Sequence, residues 1–271
     1  MDDRSGMPKE TLVEDITSYI GDLERRVPEA ISGDKLLFFR GQASRRWPLV
    51  PKIARPPYNR NAIFKPSRNA ASRDQAEWIL ISRFRDMTAS IEPQWIGAVE
   101  GKEAEWRRVV LAQHHRLPTR LLDWTSKPLV ALYFAVTGDP VYSNGEPLDS
   151  AVFVIMRPRP DVFTVRALAE KNDSPPCYNW PGGLDPGVFL GPDVHQRVTL
   201  QGSVFTISRN PRKEVKEDAM FVIGGENRTT IRNSLRDLGI NEASLVPDLD
   251  GIARSLRRES ETWGLEQGVS H

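Results

Sequence analysis

The sequence has one cysteine, Cys177, among 271 residues. A single cysteine excludes an internal disulfide and a metal site built from several cysteines. The sequence also lacks any run of about 18 apolar residues, and its first residues are polar and acidic instead of basic followed by apolar. We therefore expect a soluble, cytoplasmic protein that does not contact a membrane.

An excess of charge of one sign is also absent. The net charge is +1, from 37 basic and 36 acidic residues, so the chain lacks the global positive field of non-specific nucleic-acid binders, although a local basic patch stays open. The glycine-rich phosphate loops of Rossmann and P-loop proteins and the Gly-x-Ser-x-Gly elbow of α/β-hydrolases are missing as well. These three enzyme classes are therefore disfavoured.

The hydrophobic fraction of 39% supports a sizeable core, and the sequence shows no internal repeat. Hydrophobic periodicity and turn residues predict helices and strands. The predicted helices are 9–27, ending before Pro28, and 74–90, 102–114, 127–136, 228–238 and 249–258, and the predicted strands are 36–39, 151–156, 202–207 and 220–223. Because the strands do not alternate regularly with the helices, we expect an α+β fold with a central mixed, mostly antiparallel sheet.

The predicted domain organisation is simple. Residues 1–34 are expected to form an N-terminal helix packed on the domain, residues 35–258 the domain itself, and residues 259–271 a flexible tail.

The string Phe38-Phe-Arg-Gly-Gln42 places Arg40 at the end of a predicted buried strand. A guanidinium presents a planar fork of donors that suits phosphate or carboxylate, Gly41 is expected to leave room for a ligand, and Gln42 adds an amide. The alternative is a structural arginine that pairs with a carboxylate in the core.

The densest polar cluster runs from Gln113 to Ser126, between two apolar helices. Packing alone does not require it, although Asp123 or Thr125 could cap the next helix, Arg120 could pair with Asp123, and Trp124 could fill the core. Its candidate functional residues are His114, Arg120, Asp123, Trp124, Thr125 and Ser126. His114 and His115 are adjacent and point about 100° apart on a helix, which argues against a shared metal and leaves His114 as a general base.

Four strings carry a resemblance to a known family: Phe38 to Gln42, Ala112 to Ala135, Gln201 to Phe205 and Leu245 to Gly251. Together they resemble the FRG domain family, named for its Phe-Arg-Gly motif, over about residues 35–256. One departure is Arg116, where the family pattern usually has glycine.

The order of these motifs is similar to that of ADP-ribosyltransferases: an arginine at a strand end, an extended segment ending in Thr/Ser before an apolar helix, and a Glu or Gln on a later strand. This resemblance implies an ADP-ribosyltransferase-like fold and an NAD-dependent enzyme that modifies a protein or nucleic acid, such as a bacterial toxin or phage-defence effector. The residues expected to bind NAD are Arg40, Gln42, Arg120, Trp124, Thr125, Ser126 and Tyr133, with Trp124 or Tyr133 stacking on the nicotinamide. The expected catalytic residues are His114, Asp123 and Gln201.

Transferases of this type generally have glutamate where this chain has Gln201, and a neutral amide stabilises a developing cation less well. Asp123 is the candidate for the missing negative charge. Two other hypotheses stay open. One is a non-catalytic module that binds a phosphate-bearing ligand or nucleic acid through Arg40, Arg116, Arg120 and Arg197. The other is a metal-independent nuclease with His114 and His115 as acid and base.

Overall fold

A mixed sheet of eight strands organises the chain in the computed structural model, which describes residues 10–56, 58, 73–90, 99–139, 142–143, 146–170, 185–194 and 196–246. The sheet strands are β1 (Glu10–Val13), β2 (Lys35–Gln42), β3 (Leu121–Thr125), β6 (Ser150–Pro158), β7 (Val162–Phe163), β8 (Gly187–Leu190), β9 (Ser203–Ile207) and β10 (Ala219–Ile223). A separate hairpin consists of β4 (Tyr142–Ser143) and β5 (Glu146–Pro147). The expected α+β class with a central mixed sheet is confirmed.

The strand order across the sheet is β1-β10-β6-β2-β3-β9-β8-β7. The two outermost pairs are parallel, and all pairs between them are antiparallel. β2 and β3 pair only at Phe39 and Thr125. Since β2 then continues along β6 and β3 along β9, the sheet opens into a fork between β2 and β3.

The described helices are α1 (Ile16–Ser32), α2 (Arg73–Thr88), α3 (Gly101–His114), α4 (Pro128–Thr137), α5 (Val165–Glu170), α6 (Gln196–Leu200), α7 (Arg228–Asp237) and α8 (Glu242–Leu245). One face of the sheet carries two apolar clusters. The first is formed by α1, α4 and α7 with Phe39 of β2, and the second by α3 and α5 with Phe205 of β9. A third cluster, which contains Phe38 and Trp124, lies on the opposite face because side chains alternate along a strand. We call the two groups of helices on the first face, α1 with α4 and α7, and α3 with α5, the two helical layers. The fork lies between them on that face of the sheet.

Helix α4 is apolar on nearly all sides, as predicted for 127–136, and it lies against β2, β3, β6 and α7. Pro128 occupies its first turn, where a missing backbone N–H is tolerated, and its carbonyl accepts a hydrogen bond from the Tyr19 hydroxyl at 3.0 Å. This packing holds the helix directly over the fork.

The N-terminal prediction is wrong in two respects. Residues 10–13, expected to be helical, form β1, which pairs with β10, becomes the edge strand of the sheet and buries Val13. The helix begins only at Ile16, where Asp15 accepts from the Ser18 backbone N–H at 2.7 Å and thus caps the first turn. The helix also continues through Pro28 to Ser32 instead of ending before the proline.

The other predicted helices and strands that fall in the described residues are present, with ends shifted by one or a few residues. The predicted helix 249–258 and the predicted tail 259–271 lie outside the described residues. In the described part of the chain, no helix is long and apolar enough to cross a membrane.

Candidate functional site

The fork between β2 and β3 opens into a cavity of about 260 Å³, which we call the inner pocket. Its floor is the sheet face between the two helical layers, and its walls come from α3, α4 and α6. The lining residues are Phe39, Arg40, Gly41, Val110, Gln113, His114, Arg116, Asp123, Trp124, Thr125, Ala131, Phe134, Val198, Gln201, Ser203 and Phe205.

A second cavity of about 370 Å³, which we call the annex, adjoins the inner pocket. Its lining residues are Arg40, Lys52, Arg55, Pro56, Tyr58, Gln113, Arg116, Leu121, Leu122 and Asp123. Arg40, Gln113, Arg116 and Asp123 line both cavities and separate one from the other. The site is thus a depression in two parts.

Arg40 lies at the fork. Its Nη1 donates to the backbone carbonyl of Asp123 at 2.7 Å, and its Nε donates to Gln42 Oε1 at 3.3 Å. The guanidinium therefore binds a carbonyl on β3 at a point where β2 and β3 no longer pair. Burial lowers the pKa of Arg40 to about 10, repulsion from Arg55 adds to this decrease, and attraction to Asp123 opposes it. No carboxylate among the described residues forms an ion pair with Arg40, so the proposed structural pairing is not found.

Asp123 presents its carboxylate to both cavities and is solvent-exposed. Gln113, in the last turn of α3, donates from Nε2 to Asp123 Oδ2 at 2.9 Å. The hydroxyl of Thr119 donates to Gln113 Oε1 and so fixes the orientation of this amide. The loop after α3 therefore holds the Asp123 carboxylate at the entrance of the inner pocket.

Thr125 and Gln201 meet on the opposite side of the inner pocket. The Thr125 hydroxyl donates to the backbone carbonyl of Gln201, and it accepts from the Lys127 backbone N–H at 2.9 Å at the start of α4. The side-chain Nε2 of Gln201 donates to the carbonyl of Leu245 in α8 at 3.0 Å. The donor of this amide is thus engaged with the protein.

His114, at the end of α3, lines the inner pocket, whereas His115 lines neither cavity. The two rings are 5.1 Å apart between centroids, and the His115 ring lies 6.4 Å from that of Phe84. The arrangement that a two-histidine acid–base nuclease needs is therefore missing from this pocket.

Two residues expected to bind NAD, Gln42 and Arg120, line neither cavity and instead form hydrogen bonds within the protein. Gln42 is buried, accepts from Arg40 and donates to the Trp47 carbonyl at 2.9 Å. Arg120 is also buried, and its Nε lies 2.7 Å from Oε2 of Glu77 in α2. The predicted partner of Arg120 was Asp123, which faces the pocket.

The two aromatic residues expected to stack on the nicotinamide have their side chains in apolar clusters. Trp124 is among the residues that line the inner pocket, but its side chain packs in the cluster on the other face of the sheet, and its indole N–H donates to Thr206 at 3.0 Å. Tyr133 is buried in the cluster beneath α4. Ser126 is exposed beside Gly202 and does not line either cavity. Phe134, on the same helix as Tyr133, lines the inner pocket, together with Phe39 and Phe205 of the sheet.

Gly41 has a different role from the one predicted. A Cβ at this position would lie 1.9 Å from the Ala131 carbonyl oxygen and 2.6 Å from the Ala135 nitrogen. The space beside the glycine therefore accommodates α4 and not a ligand. The close approach of α4 to β2 in turn brings Phe134 to the pocket wall.

Three residues of the annex were not predicted from the sequence: Lys52, Arg55 and Tyr58. They lie on the single turn Lys52–Ala54 and in the loop that follows it. The only available signal was the basic and aromatic content of this proline-rich stretch, and it says nothing about the neighbours. The Arg197 side chain lies outside the described residues.

Positive charge exceeds negative charge around the annex. Four cations, Arg40, Lys52, Arg55 and Arg116, line it together with one carboxylate, that of Asp123. Partial burial lowers the pKa of Arg55, and Asp123 opposes the decrease. Within the described chain none of these cations forms an ion pair. Such a cavity is suited to an anionic ligand.

In the described residues, no group of three or more His, Cys, Asp or Glu side chains is arranged to hold a metal ion.

Comparison with known proteins found a family model that matches part of the chain. No curated protein and no solved structure matches the chain. The model of the FRG domain family matches residues 35–142, which include β2, the polar loop after α3, β3 and α4. Arg40, Asp123 and Thr125 lie within this match, and Gln201 lies beyond it. The chain is thus similar to the FRG domain family over residues 35–142.

Proposed function

We propose that the inner pocket binds NAD and that the protein is an ADP-ribosyltransferase-like enzyme acting on a macromolecular acceptor. One observation carries the proposal. Arg40 on β2, Thr125 on β3 and Gln201, two residues before β9, are far apart in the sequence, but they line one cavity. The strands β2, β3 and β9 are neighbours in the sheet. This proximity supports the likeness to the motif order of ADP-ribosyltransferases.

The chemistry of the pocket fits the parts of NAD. The guanidinium groups of Arg40 and Arg116 are suited to the pyrophosphate, since arginine binds phosphate oxygens through paired donors. Phe134 and the apolar side chains of Val110 and Val198 offer a surface for a flat ring. The inner pocket and the annex together have the size of a small-molecule site.

The proposed reaction transfers the ADP-ribosyl group. The bond between the nicotinamide nitrogen and the ribose carbon breaks, and nicotinamide leaves as a neutral molecule with both electrons of that bond. An acceptor oxygen or nitrogen donates the electron pair of the new bond to the same carbon. The proton of the acceptor passes to a base, for which His114 and Asp123 are the candidates in the pocket.

Asp123 has a second role in this proposal. The ribose carbon gains positive charge as nicotinamide leaves, and Gln201 is neutral. The Asp123 carboxylate is the acidic group in the lining of the inner pocket, and Gln113 holds it in place. We therefore assign to Asp123 the stabilisation of this charge, with Gln201 positioning the sugar.

Release of nicotinamide tests the proposal. The protein is incubated with NAD and, separately, with protein, DNA or RNA acceptors, and free nicotinamide is measured. We expect release that falls by about a hundredfold in Asp123→Asn, because the variant keeps the size of the side chain and removes its charge. Asp237→Asn, on α7, is the matched control and should behave as wild type. Absence of release with every acceptor class would reject the transferase.

The second candidate function is a non-catalytic module for a phosphate-bearing ligand. It is favoured by the four cations around the annex, which form no ion pair with any described residue, and by the neutral Gln201. Nucleotide binding that weakens steeply with salt, without nicotinamide release, would identify this function. A role as a bacterial toxin or phage-defence effector is part of the transferase proposal, and growth arrest by wild type but not by Asp123→Asn would support it.

A further inference from the structure

We infer that the annex binds the phosphorylated end of a single-stranded nucleic acid. The inference deepens the proposed function and rests on it in one respect, since the bound strand would be the acceptor of the ADP-ribosyl group. The binding site itself stands on its own geometry. The residues that form it are Arg40, Lys52, Arg55, Tyr58 and Arg116.

Two cations of the annex, Lys52 and Arg55, are held in place by backbone carbonyls. Lys52 Nζ donates to the backbone carbonyl of Arg116 at 2.6 Å, which ties the turn at Lys52–Ala54 to the loop after α3. Arg55 Nε donates to the Val50 carbonyl at 2.9 Å, so this bond sets the position of its guanidinium. These cations are therefore held in place by backbone carbonyls instead of carboxylates, and their charge stays available to an anion.

Two of the cations lie in the lining of the same cavity, and one acts on the other. Arg40 and Arg55 both line the annex, and repulsion from Arg55 contributes to the lowered pKa of Arg40. A doubly charged phosphate placed between them would remove this repulsion. A terminal phosphate carries more charge than a phosphodiester, which favours a strand end over the interior of a strand.

An aromatic ring, that of Tyr58, lies beside the cations of the annex. Tyr58 lines the annex, and Lys52 Nζ lies 5.8 Å from the centre of its ring. A half-buried ring next to basic side chains is the arrangement with which proteins bind unpaired bases, since every base can stack on it. An acidic peptide would use the cations alone, so the aromatic ring favours a nucleic-acid strand.

The size of the annex limits how much of the strand it holds. A cavity of about 370 Å³ lies at the lower end of the range for small-molecule sites, which suits one nucleotide unit. Since Asp123 and Arg40 line both cavities, a nucleotide in the annex lies next to the ribose of NAD in the inner pocket. The annex is thus placed to present an acceptor.

Fluorescence anisotropy of short, labelled single-stranded oligonucleotides tests the inference. Three probes are compared: one with a 5′ phosphate, one with a 3′ phosphate and one with neither. We expect at least one phosphorylated strand to bind about tenfold more tightly than the unphosphorylated strand. Arg55→Met should remove this preference, and Tyr58→Ala should weaken binding of all three probes by about tenfold. Arg236→Met, an exposed cation on α7, is the control and should leave binding unchanged.

Equal affinity for all three strands, or an unchanged preference in Arg55→Met, would overturn the inference. Tighter binding of an aspartate-rich peptide than of any strand would overturn it as well. The two proposals fail separately. Nicotinamide release without strand binding would reject the nucleic-acid end and keep the transferase. Strand binding that depends on Arg55, without nicotinamide release, would reject the transferase and keep the binding of a nucleic-acid end.

Discussion

Arg116 has a backbone φ of 64°, in the left-handed region that glycine adopts with least strain. The resemblance to the FRG family implies glycine at this position, whereas this chain has arginine in the left-handed region. The Arg116 side chain lines both the inner pocket and the annex. We interpret this departure from the pattern as a strained residue retained for its charge.

Two substitutions at Arg116 separate strain from charge. Arg116→Gly should unfold at higher denaturant than Arg116→Ala, by about 1 kcal/mol in the free energy of unfolding, because only glycine relieves the left-handed backbone. Both variants should bind NAD more weakly than wild type to a similar extent, since both remove the guanidinium. Equal stability of the two variants would contradict the backbone argument, and unchanged NAD affinity would contradict the role of the charge.

Gln201 offers a test of the third motif position. Gln201→Glu restores the residue type of ADP-ribosyltransferases, and it should raise nicotinamide release if the transferase proposal holds. The same change removes the donor to the Leu245 carbonyl, so we expect a loss of about 1–3 kcal/mol in the free energy of unfolding. Gln201→Met is the control, since it loses the same hydrogen bond without gaining charge. Faster release in both variants, or in neither, would remove Gln201 from the reaction.

At the scale of elements, the packing of α4 on β2 positions the pocket wall. Gly41 allows this approach, and the Thr125 hydroxyl accepts the Lys127 backbone N–H where α4 begins. The three residues of the Phe-Arg-Gly motif thus have separate roles. Phe39 packs in the core, Arg40 lines the pocket, and Gly41 allows the close approach of α4.

Gly41→Ala should therefore unfold the protein at markedly lower denaturant. The added methyl group meets the backbone of α4 and not a flexible side chain, so we expect a loss of more than about 3 kcal/mol in the free energy of unfolding. The matched control is Gly21→Ala on α1, where a Cβ has no neighbour within 4 Å. This control should gain about 0.5–1 kcal/mol from helix propensity. Similar stability of the two variants would show that Gly41 does not set the distance between β2 and α4.

The buried pair of Glu77 and Arg120 connects α2 to the start of β3. Glu77 accepts from both the backbone N–H and the side chain of Arg120, at 2.8 Å and 2.7 Å. Either Glu77→Met or Arg120→Met leaves one buried charge without its partner, and we expect each to lose about 3–5 kcal/mol in the free energy of unfolding. The double variant should lose less than the sum of the two, as chemical denaturation of all four proteins would show. Additive losses would contradict a coupled pair.

At the scale of the whole molecule, the fork between β2 and β3 explains why the site lies where it does. An unbroken ladder would pair the β3 backbone with β2, whereas here the Arg40 side chain binds the Asp123 carbonyl. The opening leaves room for a cavity between the two helical layers on one face of the sheet.

Much of this architecture could be predicted from the sequence because local patterns determine it. The apolar run of β6 and the nearly all-apolar α4 identify buried elements without knowledge of their neighbours. The short strands β1, β7 and β8 have two to four residues each, and pairing with longer strands creates them. Such pairing is not visible in a local window.

The candidate site could be predicted from the sequence to a similar extent. Arg40, Asp123 and Thr125 line the pocket because their motifs end or begin elements that meet there. Tyr133 does not, since the rotation of a helix about its axis decides which side chain faces a cavity, and Phe134 faces it instead. Lys52 and Arg55 reach the site through tertiary contacts of a loop, which no spacing in the sequence encodes.

The central claim is that the cavity at the fork binds NAD through Arg40. Isothermal titration calorimetry of NAD with wild type and Arg40→Met tests it most directly, with circular dichroism to verify that the variant is folded. Methionine fills a similar volume without the charge that burial disfavours, so the variant should stay folded. We predict one NAD bound per wild-type chain and an affinity at least about tenfold weaker in Arg40→Met. No binding by wild type, or equal affinity in the two proteins, would contradict the account.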